Sequence, residues 1–105
     1  MIANTPKLLY YAVTFPSYHT DIEGNYVEMT DKMKQLAAQQ EGFLGVESAR
    51  NVLGITVSYW SSLEAIKNWK HNLEHSEARE KGRSTWYKNF KVRICKTERD
   101  YEFEV

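Results

Sequence analysis

A lone cysteine, Cys95, stands in the 105 residues, so no internal disulfide can form and a small secreted scaffold stapled by bridges is excluded. Its place within an apolar run predicts a packing role rather than a nucleophile. Fourteen basic residues balance fourteen acidic ones. No long-range field collects nucleic acid or anionic lipid, and neither is expected as a partner. No basic patch recurs with interleaved aromatics in the manner of an RNA-binding sheet. The opening residues MIANTPKLLYYAVTF lack a basic region followed by an apolar run and a small-residue cleavage site, and no segment approaches membrane-spanning length. The expectation is a cytoplasmic protein without membrane association. Gly-rich phosphate loops, cysteine clusters and a defensible Ser-His-Asp spacing are also missing.

Aromatic residues, in contrast, are plentiful: three Trp, seven Tyr and four Phe. They supply large, shape-defining surfaces that must fill a core, a pocket or an interface. The length suits one domain, residues 1–105, with enough apolar material for one core.

Residues 7–15, KLLYYAVTF, are β-branched and aromatic enough for a first strand, with Pro16 expected to end its pairing for want of an N–H. Asn25 and Glu28 resemble a capping box for a first helix. Its face of Tyr26, Met29, Met33, Leu36 and Ala37 recurs at helical spacing, and the helix ends near Gly42. Residues 43–50 and 53–60 read as a hairpin turning at Asn51 and Val52. Ser61 with Glu64 caps a second helix to about Lys81, with Leu63, Ile66, Trp69, Lys70 and Leu73 on one side. After a short turn at residues 83–90, a last strand is predicted over residues 90–101. In it Phe90, Val92 and Ile94 oppose Arg93, Cys95 and Thr97.

The order βαββαβ predicts a ferredoxin-like α+β fold, a four-stranded antiparallel sheet with both helices on one face. In the first strand Leu8, Tyr10 and Ala12 alternate with Leu9, Tyr11, Val13 and Phe15, and both sets are apolar. Helices cover only one set, so a second copy is expected to cover the other, sheet against sheet.

The second helix carries His71-x-x-Glu74-His75, in form an inverted zinc-protease pattern. Histidines four apart share a helical face, so the spacing permits a metal. Three fixed letters arise easily by chance, and a catalytic zinc needs a third protein ligand, so two helix histidines without metal is the favoured reading. His71 points away from the buried stripe. His75 lies near the helix end, where the dipole favours the imidazolium; a hydrogen-bonding role to a ligand and a structural role both stand.

The segments EGFLGVESAR, GITVSYWSSLEAIKNWKHNLEH, AREKGRSTWY and VRICKTERDY, in that order on this frame, resemble the antibiotic biosynthesis monooxygenase family of the dimeric α/β-barrel superfamily over about residues 8–103. The resemblance implies a homodimer with a pocket between sheet and helices in each subunit. It further implies oxidation of an aromatic or quinol-like molecule by oxygen with no metal, flavin or haem as cofactor. His75 and Trp69 would be the catalytic candidates. Tyr59, Trp60, Trp86, Tyr87 and Arg93 would bind substrate, with Arg99 a second arginine able to stabilise its anion. Two alternatives accompany this one: a non-catalytic dimer that binds a hydrophobic small molecule, and a haem-degrading protein. The haem-degrading relatives place an asparagine and a histidine where this chain has Thr14 and Arg79, and only Trp69 matches.

Overall fold

The computed structural model describes residues 2–7, 9–19, 26–80 and 87–104, with the side chains at 19, 26–30, 74–80 and 87–88 left aside. In chain order the elements are β1 (Tyr10–His19), α1 (Tyr26–Ala38), β2 (Phe43–Arg50), β3 (Leu53–Trp60), α2 (Leu63–Glu80), β4 (Tyr87–Phe90) and β5 (Arg93–Thr97). The sheet is antiparallel in the order β2-β3-β1-β4, and β5 also pairs with β1. This is the expected ferredoxin-like α+β arrangement.

Pro16 corrects one expectation. β1 runs through it, with Pro16 opposite Ile55 of β3. On its other side the Pro16 carbonyl accepts the Lys91 N–H at 3.1 Å. Ser17 faces Phe90 and Thr14 faces Arg93, so β4 and β5 continue one register, and the gap between them lies opposite Phe15 and Pro16. A missing N–H interrupts the neighbouring strand rather than the strand that carries it. The single last strand expected from the sequence is therefore two.

Strand alternation fixes the two faces of the sheet. Tyr11 and Val13 of β1 and Phe43 of β2 pack against a core of Trp60 with Ala37 from α1 and Ala65 and Ile66 from α2, and Trp69 joins them. Both helices thus lie on the face carrying the odd-numbered residues of β1. On α1, Met33 and Leu36 are half-buried and Ala37 buried, while Asp31, Lys32, Lys34 and Gln35 are exposed; Asn25 falls outside the described residues. Gly42 takes a φ of 87° after the helix. A Cβ there would meet the Ala65 Cβ at 2.5 Å, so glycine is needed both for conformation and for clearance.

The cap of α2 is Ser62, one residue later than expected: the Ala65 N–H donates to Ser62 Oγ at 3.0 Å. Ser61 is committed elsewhere, its N–H donating to the Gly42 carbonyl at 2.8 Å. The buried stripe consequently begins at Ala65 and runs through Ile66, Trp69 and Leu73, leaving Leu63 and Lys70 exposed.

The opposite, outer face is uncovered over much of its area. Tyr18, Leu53 and Ile55 are exposed there, and Cys95, which sits opposite Ala12, is exposed rather than packed. An apolar sequence neighbourhood buries a residue only if its own face of the strand is covered. No helix among the described residues is long and apolar enough to cross a membrane.

Candidate active site

On the helix side, Trp69 of α2 stacks on Trp60 of β3 with ring centroids 5.9 Å apart and planes 24° apart. Phe43 meets Trp60 edge-on at 5.4 Å, and the Trp60 indole N–H donates to Ser58 Oγ at 2.9 Å. Trp60 is fully buried, so it backs Trp69 and offers no surface of its own. Trp69 is only half-buried, so of the two stacked tryptophans it is the one that keeps accessible surface.

The pairing registers lay out the rest of this face in rows. Phe43, Trp60 and Tyr11 form the aromatic end. Val46, Ser58, Val13 and Ile94 come next, then Ser48, Thr56 and Phe15. The last row holds Arg50, Gly54, Ser17 and Phe90. Short side chains on β2 and β3 therefore face an apolar bank on β1 and β5. Phe15 and Phe90 stack at 5.0 Å at the far end of that bank.

Arg50 closes the row opposite the tryptophans. Its guanidinium donates to Ser17 Oγ at 2.6 Å and to the Ser17 carbonyl at 3.2 Å, having crossed Gly54, where a Cβ would lie 2.0 Å from the guanidinium carbon. The sequence reading did not single out Arg50. The signals were there: it shares parity with Val46 and Ser48, and a glycine inside a strand marks a close approach.

The candidates from sequence divide between the two faces. Trp60 and Trp69 meet on the helix side. Tyr59 follows the alternation to the outer face, as does Arg93, exposed and opposite Thr14. Neither shares a surface with Trp69 within one subunit, because consecutive strand residues point to opposite sides. Arg99 lies beyond β5 with its guanidinium 5.9 Å from the Tyr101 ring centroid. His71 is exposed, as its position on α2 implied. His75 is on α2 and Tyr87 on β4, but their side chains, like Trp86 and the Arg79 side chain, fall outside the described residues. No group of three His, Cys, Asp or Glu that could hold a metal occurs among the described residues. Thr14, at the position of the haem degraders' asparagine, also belongs to the outer face.

That outer face holds a polar cluster the sequence did not reveal. The Tyr59 hydroxyl donates to Glu47 and the Tyr10 hydroxyl to Asp100, with the two rings edge to face at 5.9 Å. The Ala3 N–H adds a bond to Glu47 at 3.0 Å. Burial, then the Glu47 carboxylate, push the Tyr59 phenol up to about 12. The bonds from Tyr59 and Ala3 hold Glu47 below the usual carboxylate range, and the bond to Asp100 raises Tyr10.

The profile of the Monooxygenase af470-like family matches residues 12–96. A protein of Bacillus subtilis strain 168 named YqjZ is 48% identical over 105 residues, covering 98% of this chain and 92% of that one. Among solved structures, SnoaB, a cofactor-independent oxygenase from Streptomyces nogalater, superposes with a TM-score of 0.66 at 14% identity, over 91% of this chain and 98% of its own. The heme-degrader MhuD from Mycobacterium tuberculosis superposes with a TM-score of 0.57 at 19% identity, over 87% and 99%. Likenesses at such identities speak for the fold. The chain belongs to the Monooxygenase af470-like family, in agreement with the monooxygenase resemblance drawn from its motifs.

Proposed function

We infer that this protein is a monooxygenase that oxidises a flat aromatic or quinol-like molecule with molecular oxygen and without a cofactor, in the cleft beside Trp69. The half-buried Trp69 ring, fixed by its stack on Trp60 at the closed end of a row of short side chains, carries this reading. It is a rigid wall against which an aromatic ring stacks, on a face that also carries the apolar side chains of Val13, Phe15 and Ile94.

An electron-rich substrate performs the redox step itself. An anthrone-type CH₂, deprotonated to its delocalised anion, gives four electrons in all to O₂; one oxygen atom becomes the new carbonyl and the other leaves as water. The protein's part is to orient the ring system and to favour the anion with fixed donors. His75, six residues beyond Trp69 on α2, is the proposed donor from the helix. The protein is taken to act as a homodimer in the cytoplasm, a second copy covering the outer face where Leu53, Ile55 and Tyr18 are exposed.

Oxygen uptake with a panel of anthrones and hydroquinones in chelator-containing buffer tests the reading. Uptake above a heat-inactivated control, reduced at least tenfold in Trp69→Ala, is expected. Quenching of tryptophan fluorescence by these compounds with no uptake would replace the enzyme with a non-catalytic binding protein.

A further inference from the structure

We propose that the Tyr11 hydroxyl is the sheet's hydrogen-bond donor to an anionic oxygen, phenolate or enolate, of the aromatic ligand bound beside Trp69. The inference rests on the ring-binding reading above and deepens it by assigning a group that recognises the anion.

Position comes first. Tyr11 lies on the helix-side face directly opposite Trp60, where facing Cβ atoms stand about 5 Å apart. Trp69 covers that same Trp60 ring with centroids 5.9 Å apart, and Tyr11 and Trp69 both pack against the core cluster of Trp60, Ala37, Ala65 and Ile66. The two side chains therefore flank one ring. Beyond α2 the sheet is open: α1 packs on β2 and α2 on β3, and among the described residues no helix packs as closely on β1 or β5. Tyr11 is accordingly half-buried, and Ile94, in the next row, is 53% exposed.

Bonding comes second. On the outer face the Tyr10 hydroxyl donates to Asp100 and the Tyr59 hydroxyl to Glu47. The Tyr11 hydroxyl has no hydrogen-bond partner among the described residues. A phenol whose ring is fixed in a core and whose O–H is unmatched by protein is a donor for a group on the open side. The residue facing Tyr11 on β5 is Lys96, exposed and on the same side of the sheet. A cation in the same row favours an anion there over a neutral group. The other β1 and β5 side chains of this open ground, Val13, Phe15 and Ile94, offer no donor. Tyr11 keeps its proton throughout, and its bond strengthens as negative charge develops on the ligand oxygen.

The test is a tryptophan-quenching titration of the intact protein at pH 9 with 7-hydroxycoumarin, ionised there, and with 7-methoxycoumarin, the same ring system with its oxygen capped. The anion is expected to bind at least about tenfold more tightly than the ether, as a charge-assisted hydrogen bond gives. Tyr11→Phe, which keeps the ring and removes the hydroxyl, is expected to weaken anion binding about tenfold while leaving the ether's affinity unchanged. Equal binding of the two compounds to the wild type, or a preference undiminished in Tyr11→Phe, overturns the donor and leaves the ring site standing. Failure of both compounds to bind overturns the ring site and the donor together. The ¹³Cζ resonance of Tyr11 in the wild-type protein gives a readout independent of variant folding. It is expected to move further with the anion than with the ether; equal shifts at saturation overturn the proposal.

Discussion

At the scale of single residues, the titrating cluster on the outer face makes stability depend on pH. The Tyr59 phenol, raised from 10.0 to about 12, favours the folded state in its protonated form. Its contribution is complete below pH 10 and is lost as pH rises toward 12. Glu47, held low by Tyr59 and Ala3, works in the other direction. Its contribution is present above the ordinary carboxylate value and lost as pH falls through its folded value. Denaturant midpoints measured from pH 9 to 12 should fall steeply for the wild type and less for Tyr59→Phe, which removes the titrating group. A wild-type midpoint constant to pH 12 would contradict the Tyr59–Glu47 assignment. Little of this was legible in the sequence, since Tyr10 and Asp100 are ninety positions apart and only the fold brings them together. Trp69 was legible, because a tryptophan on the apolar stripe of an amphipathic helix has few other places to go.

The elements themselves were easier to read than their ends. Hydrophobic period placed both helices and the β2–β3 hairpin, and the turn at residues 51–52 joins the strands as expected. What period cannot resolve is which of two adjacent serines caps α2, since Ser61 and Ser62 both suit the position. Their bonding decides it: Ser62 supplies a side-chain oxygen and Ser61 a backbone N–H. Ser62→Ala is expected to lower stability by about 1 kcal/mol, the usual cost of losing a helix cap. Ser61→Ala, which keeps the backbone bond, should cost clearly less. Thermal or urea unfolding of the two variants checks the order, and an equal or reversed cost would refute the assignment. Pro16 was misread for a related reason. Sequence shows that an N–H is missing but not which neighbour needs it, and here the loss falls on the segment around Lys91, between β4 and β5.

For the whole molecule, what the single chain leaves uncovered matters most. Few large side chains among the described residues are fully buried, while Leu53, Ile55 and Tyr18 stay exposed on the outer face. A second copy removes that area from water. Light scattering at micromolar concentration is expected to give twice the chain mass, and Ile55→Lys, which sets a charge in the middle of the apolar patch, is expected to shift the protein to monomer. A wild-type monomer would contradict the assembly. Both apolar faces were visible in the alternation of β1, but the division of the candidate residues between them was not. Tyr59 and Trp60 are neighbours in sequence and lie on opposite sides of the sheet. The central claim, oxygenation of an aromatic substrate beside Trp69, is most directly tested by isotope labelling. With ¹⁸O₂, chelator-treated protein and an anthrone substrate, the quinone formed above the heat-inactivated background should carry one labelled oxygen per molecule, and Trp69→Ala should remove that excess. Product labelled from H₂¹⁸O instead, or a yield no greater than background, would contradict it.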